Sequence, residues 1–344
     1  MIARATAWLA ADKHSTYGLS VTRMILGFIV ASQLIVNWPD RHYTWGDGSR
    51  WTEQVLAGRG WPSFLGLFSQ VGGHWFDVAY LATIAFGVLM MLGVYTRASS
   101  FMVLLLWVSL YVSNPFVGSG GDAILRVVLL YMCFTDAGRH WSVDARRASR
   151  RGEVRSIVPA WMSNILHNLA IILIVHQVVM VYLASSFFKV QSTVWKDGTA
   201  VYYPLQTDAY SPWNDLLHPL YANSAFVAGA TYTAIVVQMF FPVFLLYRPT
   251  RFLALIAVTG MHLGIGLLMG IMYFSLVMIA VDMILVSDTS WVRALAWVRA
   301  RRGARPRDLE PEHLQDEEHV STRDGEHVVV RDEKQGAQDV NPVT

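Results

Sequence analysis

Residues 181–198, VYLASSFFKVQSTVWKDG, deliver Lys189 at the end of a long apolar stretch, and a Trp-x-x-Gly turn follows from Trp195. An ionisable side chain at a membrane edge is costly and faces a partner or a cavity. A dry pocket would leave Lys189 a neutral amine able to act as a base, whereas a carboxylate beside it would hold it charged. Tyr182 lies two helical turns earlier on the same face.

Further candidates sit in other apolar stretches. TGMHLGIGLLMG carries His262 among Gly260, Gly264 and Gly266. A neutral imidazole there could orient a polar ligand or relay a proton; the ordinary alternative is a histidine bonded to a neighbouring helix. GSGGDAILRVVLLY places Asp122 and Arg126 at i, i+4. That spacing allows a structural ion pair, with the acid on the favoured N-terminal side. Asp122 also shares the depth of Lys189 and could be its counter-ion. His176 falls near the middle of the stretch that ends at Lys189. The expected pocket is thus walled by Asp122, Arg126, Tyr182, His176, Lys189, Trp195 and His262.

The elements that must position these residues are membrane spans. Residues are 54% hydrophobic and 15% charged, with a mean hydropathy of +0.37, which describes a multi-pass membrane protein and not a soluble domain. Apolar runs of spanning length fall near 19–37, 75–95, 98–114, 119–136, 160–188, 223–246, 252–269 and 271–287. The expected fold is therefore an all-α integral membrane bundle of about eight transmembrane helices. The turn near Gly270 must be tight, and one long tilted helix there would leave seven spans. Residues 1–18 form an N-terminal segment, 19–290 the transmembrane domain, and 291–344 a basic juxtamembrane segment and a disordered charged tail.

Arginines favour the cytoplasmic side of short loops. Arg139, Arg146, Arg147, Arg150, Arg151 and Arg155 share the 136–159 loop, and Arg4, Lys13, Arg97, Arg248, Arg251, Arg293, Arg299, Arg301 and Arg302 fall on the same side when eight spans alternate. Both termini are expected in the cytoplasm of a bacterial cell, with no removable signal peptide. Arg41, Arg50 and Arg59 sit outside in a first loop with Trp51, Trp61 and Phe64, read as partly re-entrant or interfacial. Arg23 and Asp282 both lie toward the cytoplasmic half and are expected to form a buried structural pair.

On the 160–188 helix, Asn164, His167, Asn168, Tyr182, Ser185, Ser186 and Lys189 fall on one arc of about 100°, interrupted by Ile171, Val175 and Val178. The stripe is polar only at its two ends. Packing between helices is an even prospect for the inner end and a weaker one for the outer end.

Several classes are excluded. The net charge of +2 is small and the basic clusters are scattered, which argues against nucleic acid as a partner. Cys133 is the single cysteine, so the chain holds no disulfide framework, redox pair or thiolate metal site. The tail histidines His313, His319 and His327 lack metal-site spacing, and no metal is expected. Phosphate loops, zinc-peptidase helices and Ser-His-Asp arrangements are not evident.

The order of GDAILR, WSVD, HQVVMVYLASSFFKV, W-x-x-G-T-A, QMFFP and H-x-x-I-x-L-x-M over residues 15–290 resembles the HTTM family. That family groups bacterial membrane proteins with the transmembrane part of vitamin K-dependent gamma-carboxylase. The resemblance implies that Lys189 matches the base that deprotonates reduced vitamin K, that His262 matches a histidine of the late span, and that a reduced menaquinone-like naphthoquinone is the cofactor. Phe187 and Phe188 replace a small residue before the lysine and could fill the pocket, Gln238 stands where a glutamate is expected, and a charged tail replaces a lumenal substrate domain. Three readings stay open. An accessory or maturation factor for an exported peptide, with a thiol-disulfide partner, is favoured over a lipid- or quinone-binding protein, and that over a quinone-dependent oxidoreductase or carboxylase.

Overall fold

The computed structural model describes residues 2–49, 65–151, 158–207 and 213–301. The loop with Arg50, Trp51, Arg59, Trp61 and Phe64, together with Arg155 and the charged tail from Arg302 with its three histidines, lies outside the described residues.

Every regular element among the described residues is helical. The longer helices are α1 (Ile2–Ala10), α2 (Thr16–Val36), α3 (Gly73–Leu92), α4 (Thr96–Ser113), α5 (Gly120–Met132), α6 (Val143–Arg151), α7 (Ala160–Gln191), α8 (Ser224–Phe244), α9 (Arg248–Leu268), α10 (Met272–Asp282) and α11 (Asp288–Arg301). Six of these, α2, α3, α4, α7, α8 and α9, are long and apolar enough to cross a membrane, or up to seven spans if Met272–Leu285 and the following helix Asp288–Arg301 form one bent span. The expected count of eight is not reached among the described residues.

The shortfall has local causes. α5 has 13 residues and α10 has 11, which at about 1.5 Å per residue fall well short of the ~30 Å hydrocarbon layer. Ser119 starts α5 with a capping box, its side chain accepting from the Asp122 amide while the Asp122 carboxylate accepts from the Ser119 amide. α10 begins only after the turn at Gly270, where φ is +68°. The two short helices pack against each other, α10 also against α2 and α5 against α4 and α7, burying Leu125, Val128, Met278 and Val281. Their ends are therefore satisfied within protein and need not face lipid.

α2 lies against α3 at very close range. A Cβ on Gly27 would meet the Met91 amide nitrogen at 2.6 Å and the Gly87 carbonyl at 2.7 Å, so the crossing needs glycine. Tyr80 of α3 closes the same interface by donating to the Leu34 carbonyl at 2.9 Å.

Arg23 does not pair with Asp282. Its guanidinium, fully buried, donates to the carbonyls of Ala137 (3.0 Å), Met90 (2.6 Å), Met91 (2.7 Å) and Trp141 (3.0 Å). The C-terminal end of α3 and the turn after α5 offer carbonyls with acceptor capacity to spare, and one planar five-donor group ties them together. The charge is spread over peptide dipoles, and Asp282 is left to a different cluster.

The inner end of α7 is a clamp for the N-terminal segment. Asn164 donates to the Ala10 and Ala11 carbonyls, and Asn168 donates to those of Trp8, Leu9 and Asp12 while accepting from the His14 amide. His167 Nδ1 accepts from the Asp136 amide at 3.0 Å, so Nε2 carries the proton and donates to the His14 carbonyl at 2.8 Å. Helix-to-helix packing is thus the role of the inner half of the polar stripe.

Candidate functional site

The outer half of α7 carries a different arrangement. Lys189 lies in its last turn, two turns beyond Tyr182 on the same face, or about 10 Å along the axis. Its ammonium, partly buried, donates to Ser185 Oγ at 2.6 Å and to Gln238 Oε1 of α8 at 2.5 Å. The same nitrogen stands 4.9 Å from the centroid of the Trp195 ring, a cation–π contact. No ion pair to a carboxylate forms at Lys189 among the described residues. Two of its three N–H donors are used, on neutral oxygens only, and no described carboxylate offsets its positive charge.

The Trp-x-x-Gly turn places that ring. Gly198 adopts φ +73°, and the Thr199 amide returns to the Val194 carbonyl at 2.9 Å. Tyr232 of α8 packs on Gly198 and donates to the Lys196 carbonyl at 2.8 Å. The turn is therefore pinned to the helix that supplies Gln238.

Deeper in the bundle Tyr182 joins three helices. Its hydroxyl donates to Asp282 Oδ2 of α10 at 2.7 Å and lies 3.1 Å from His262 Nε2 of α9. Because the single hydroxyl proton goes to Asp282, His262 must donate through Nε2, which leaves Nδ1 an acceptor. All three side chains are almost completely buried. No described group bonds His262 Nδ1, Asp282 Oδ1 or Ser275 Oγ, and Ser275 precedes Asp282 by two turns on α10. Phe241 and Phe274 enclose the cluster, packing on Tyr182 and His262. Buried polar atoms left without partners are uncommon and call for a reason.

The structure thus brings Tyr182 and His262 together and sets Lys189 and Trp195 further along the same helix face. It does not bring the remaining sequence candidates to them. Asp122 is engaged in capping its own helix, accepting from the Ser119 amide and hydroxyl. Arg126 forms no pair with it and instead lies over the Tyr111 ring, 3.3 Å from the centroid. His176 points outward from the middle of α7. Phe187 and Phe188 are 55% and 74% exposed, so they face away from the site and do not fill it; the small buried residue of that turn is Ser186.

Two members escaped the sequence reading. Gln238 was noted only as a departure, yet it is the cross-helix partner of Lys189. Asp282 was assigned to Arg23. The signal that could have found it is spacing, because Ser275 and Asp282 at i, i+7 put polar groups on one face of a short apolar helix.

The sequence model of the HTTM domain matches residues 12–291. The chain belongs to the HTTM family. A protein of Bacillus subtilis (strain 168), the uncharacterized protein YitO, is 28% identical over 175 residues, covering 48% of this chain and 53% of the relative. The HTTM chain described here therefore spans about half the length of that relative. No solved structure matches it.

Proposed function

We propose that this multi-pass HTTM membrane protein binds, at the Lys189 end of the bundle, a membrane-dissolved molecule bearing an anionic or carbonyl oxygen, and that it serves as an accessory or maturation factor for an exported peptide or protein. One observation carries the reading: the Lys189 ammonium is held by two neutral oxygens beside a tryptophan ring, with no carboxylate among the described residues paired to it. A desolvated cation left in that state gains most from an incoming anion or strong acceptor. A reduced naphthoquinone of menaquinone type fits the chemistry, since its ring can lie against Trp195 while its oxygen meets Lys189. Both termini are assigned to the cytoplasm, which sets Lys189 at the outer face of the cell membrane, where an exported peptide or a thiol-disulfide partner would pass.

A second reading, a quinone-dependent carboxylase or oxidoreductase with Lys189 as base, is favoured by the Tyr182 bond to His262, a donor–acceptor chain two turns below the lysine. The first experiment separates binding from its absence. Prenylquinones and lipids co-purifying with the wild-type chain, Lys189→Ala and His262→Ala are measured by mass spectrometry and normalised to folded protein. A stoichiometric quinone or acidic lipid in wild type that is lost in Lys189→Ala supports the proposal. Background levels in all three proteins overturn it. Turnover in a carboxylation assay under reducing conditions, absent in Lys189→Ala, would establish the second reading.

A further inference from the structure

The other end of α7 borders a cavity of about 680 Å³ whose lining is divided by chemistry. One wall is apolar and includes Ile171 and Val175 of α7 and Leu285 just beyond α10. The same cavity is also lined by Arg248 and Arg251, in the first turn of α9, and by Asp288. This volume is within the range of ordinary small-molecule sites.

The charges there are unequal. Asp288 is already engaged, accepting from the backbone amides of Thr16 and Tyr17 at 3.0 Å each and from the Thr16 hydroxyl, so it caps α2 and offers little to a neighbour across the cavity. Arg251 places Nε and Nη2 on the Leu245 carbonyl, which leaves Nη1. Arg248 makes no hydrogen bond or ion pair among the described residues and is exposed. Both arginines stand beside the first amide groups of α9, the positive end of that helix. Tyr247 and Phe252, next to them, are exposed, as aromatic side chains are at a membrane interface.

We propose that this cavity seats an anionic phospholipid, with its phosphate on Arg248 and Arg251 and an acyl chain along the Ile171 and Val175 wall. The shared recognition chemistry is a phosphate anion, and the apolar wall selects the lipid as its source over free phosphate. A zwitterionic lipid brings a cation that the two arginines repel, so headgroup charge sets the preference. The site stands apart from Lys189 and does not rest on the reading of that residue.

The test titrates the full-length protein in detergent with dioctanoyl phosphatidylglycerol, dioctanoyl phosphatidylcholine or inorganic phosphate, following bound lipid by native mass spectrometry and the thermal midpoint in parallel. Phosphatidylglycerol should bind and raise Tm, phosphatidylcholine should bind about tenfold more weakly or less, and phosphate alone should leave Tm unchanged. Arg248→Gln, at an exposed position that leaves packing intact, should weaken phosphatidylglycerol about tenfold, the loss of one charge-assisted hydrogen bond. Val175→Trp fills the apolar wall without altering charge and should reduce binding as well, while Lys189→Ala should leave it unchanged. Equal affinity for the two lipids, or undiminished phosphatidylglycerol binding in Arg248→Gln, overturns the proposal. Stabilisation by inorganic phosphate equal to that by phosphatidylglycerol overturns the lipid as the source.

Discussion

The two ends of α7 handle buried polar groups in opposite ways. At the inner end, Asn164, His167 and Asn168 place nearly every donor on a backbone carbonyl of the N-terminal segment, and nearby Arg23 does the same with four carbonyls of the α3 end and the turn after α5. Toward the outer end, side chains bond mainly to side chains, Lys189 has no counter-ion among the described residues, and His262 Nδ1 and Asp282 Oδ1 have no described partner. A buried polar group that is fully satisfied by backbone rigidifies the fold, whereas one left partly satisfied is available to something else. The contrast is sharpest between two desolvated cations of the same chain, Arg23 and Lys189. One is bonded to backbone carbonyls of several elements, and the other stands at the end of α7 with only neutral side-chain partners.

The comparison can be broken by mutation, most severely at Arg23. Arg23→Met removes a donor from four carbonyls and leaves those of Met91 and Trp141 without a described partner, which should cost about 3 kcal/mol or more, read as loss of monodisperse protein on size-exclusion chromatography. If Lys189→Met were equally damaging, the two cations would not differ in kind. Asn168→Ala should cost about 2 kcal/mol and speed limited proteolysis between residues 10 and 14, because it frees the segment that the clamp holds. Tyr182→Phe should destabilise by about 1–2 kcal/mol, since Asp282 and His262 both lose their common partner. A smaller effect is expected at the outer rim. Gln238→Glu supplies the missing carboxylate and should raise the thermal midpoint by the equivalent of about 1 kcal/mol while weakening any anionic ligand. Unchanged ligand binding in that variant would show that the charge of Lys189 is not what the ligand reads.

Acid should reveal the inner end in two modest steps. Burial, followed by the Arg139 charge, holds the His140 imidazole below its ordinary 6.5, where it stacks on Tyr17 with ring centroids 3.7 Å apart and bonds Thr16. The unfolded chain takes up that proton first, so His140 contributes fully above about pH 6.5 and its contribution declines as pH falls below it. At Asp136 burial works to raise the carboxyl, yet the Lys13 ion pair at 3.0 Å, with Arg97 and Arg139, holds it below 3.8. Its contribution is present above about pH 4 and is lost as pH falls through the depressed value. Thermal midpoints measured from pH 8 to pH 3 should show the upper step vanish in His140→Asn and the lower one in Asp136→Asn.

The class of this protein was legible because apolar runs of spanning length and the scarcity of charge are one-dimensional properties. So was the uneven polar stripe of α7, since helical periodicity alone places Tyr182, Ser185 and Lys189 on one face. The span count was less legible. Both short helices begin where expected, after Ser119 and Gly270, but α5 stops at Met132 and α10 at Asp282, and whether a short apolar helix is tolerated depends on the neighbours that enclose its ends.

Partner choice among buried charges was settled only by the tertiary structure. The sequence determined that Arg23, Asp122, Arg126, Lys189, His262 and Asp282 all enter apolar surroundings and must each be satisfied. It could not tell that Arg23 would take carbonyls, Arg126 a tyrosine face and Asp282 a tyrosine hydroxyl, because each of those partners comes from another part of the chain. Depth and sign of charge restrict which groups can meet. Helix rotation and close packing, set by contacts such as Gly27 against Gly87, decide which of them do.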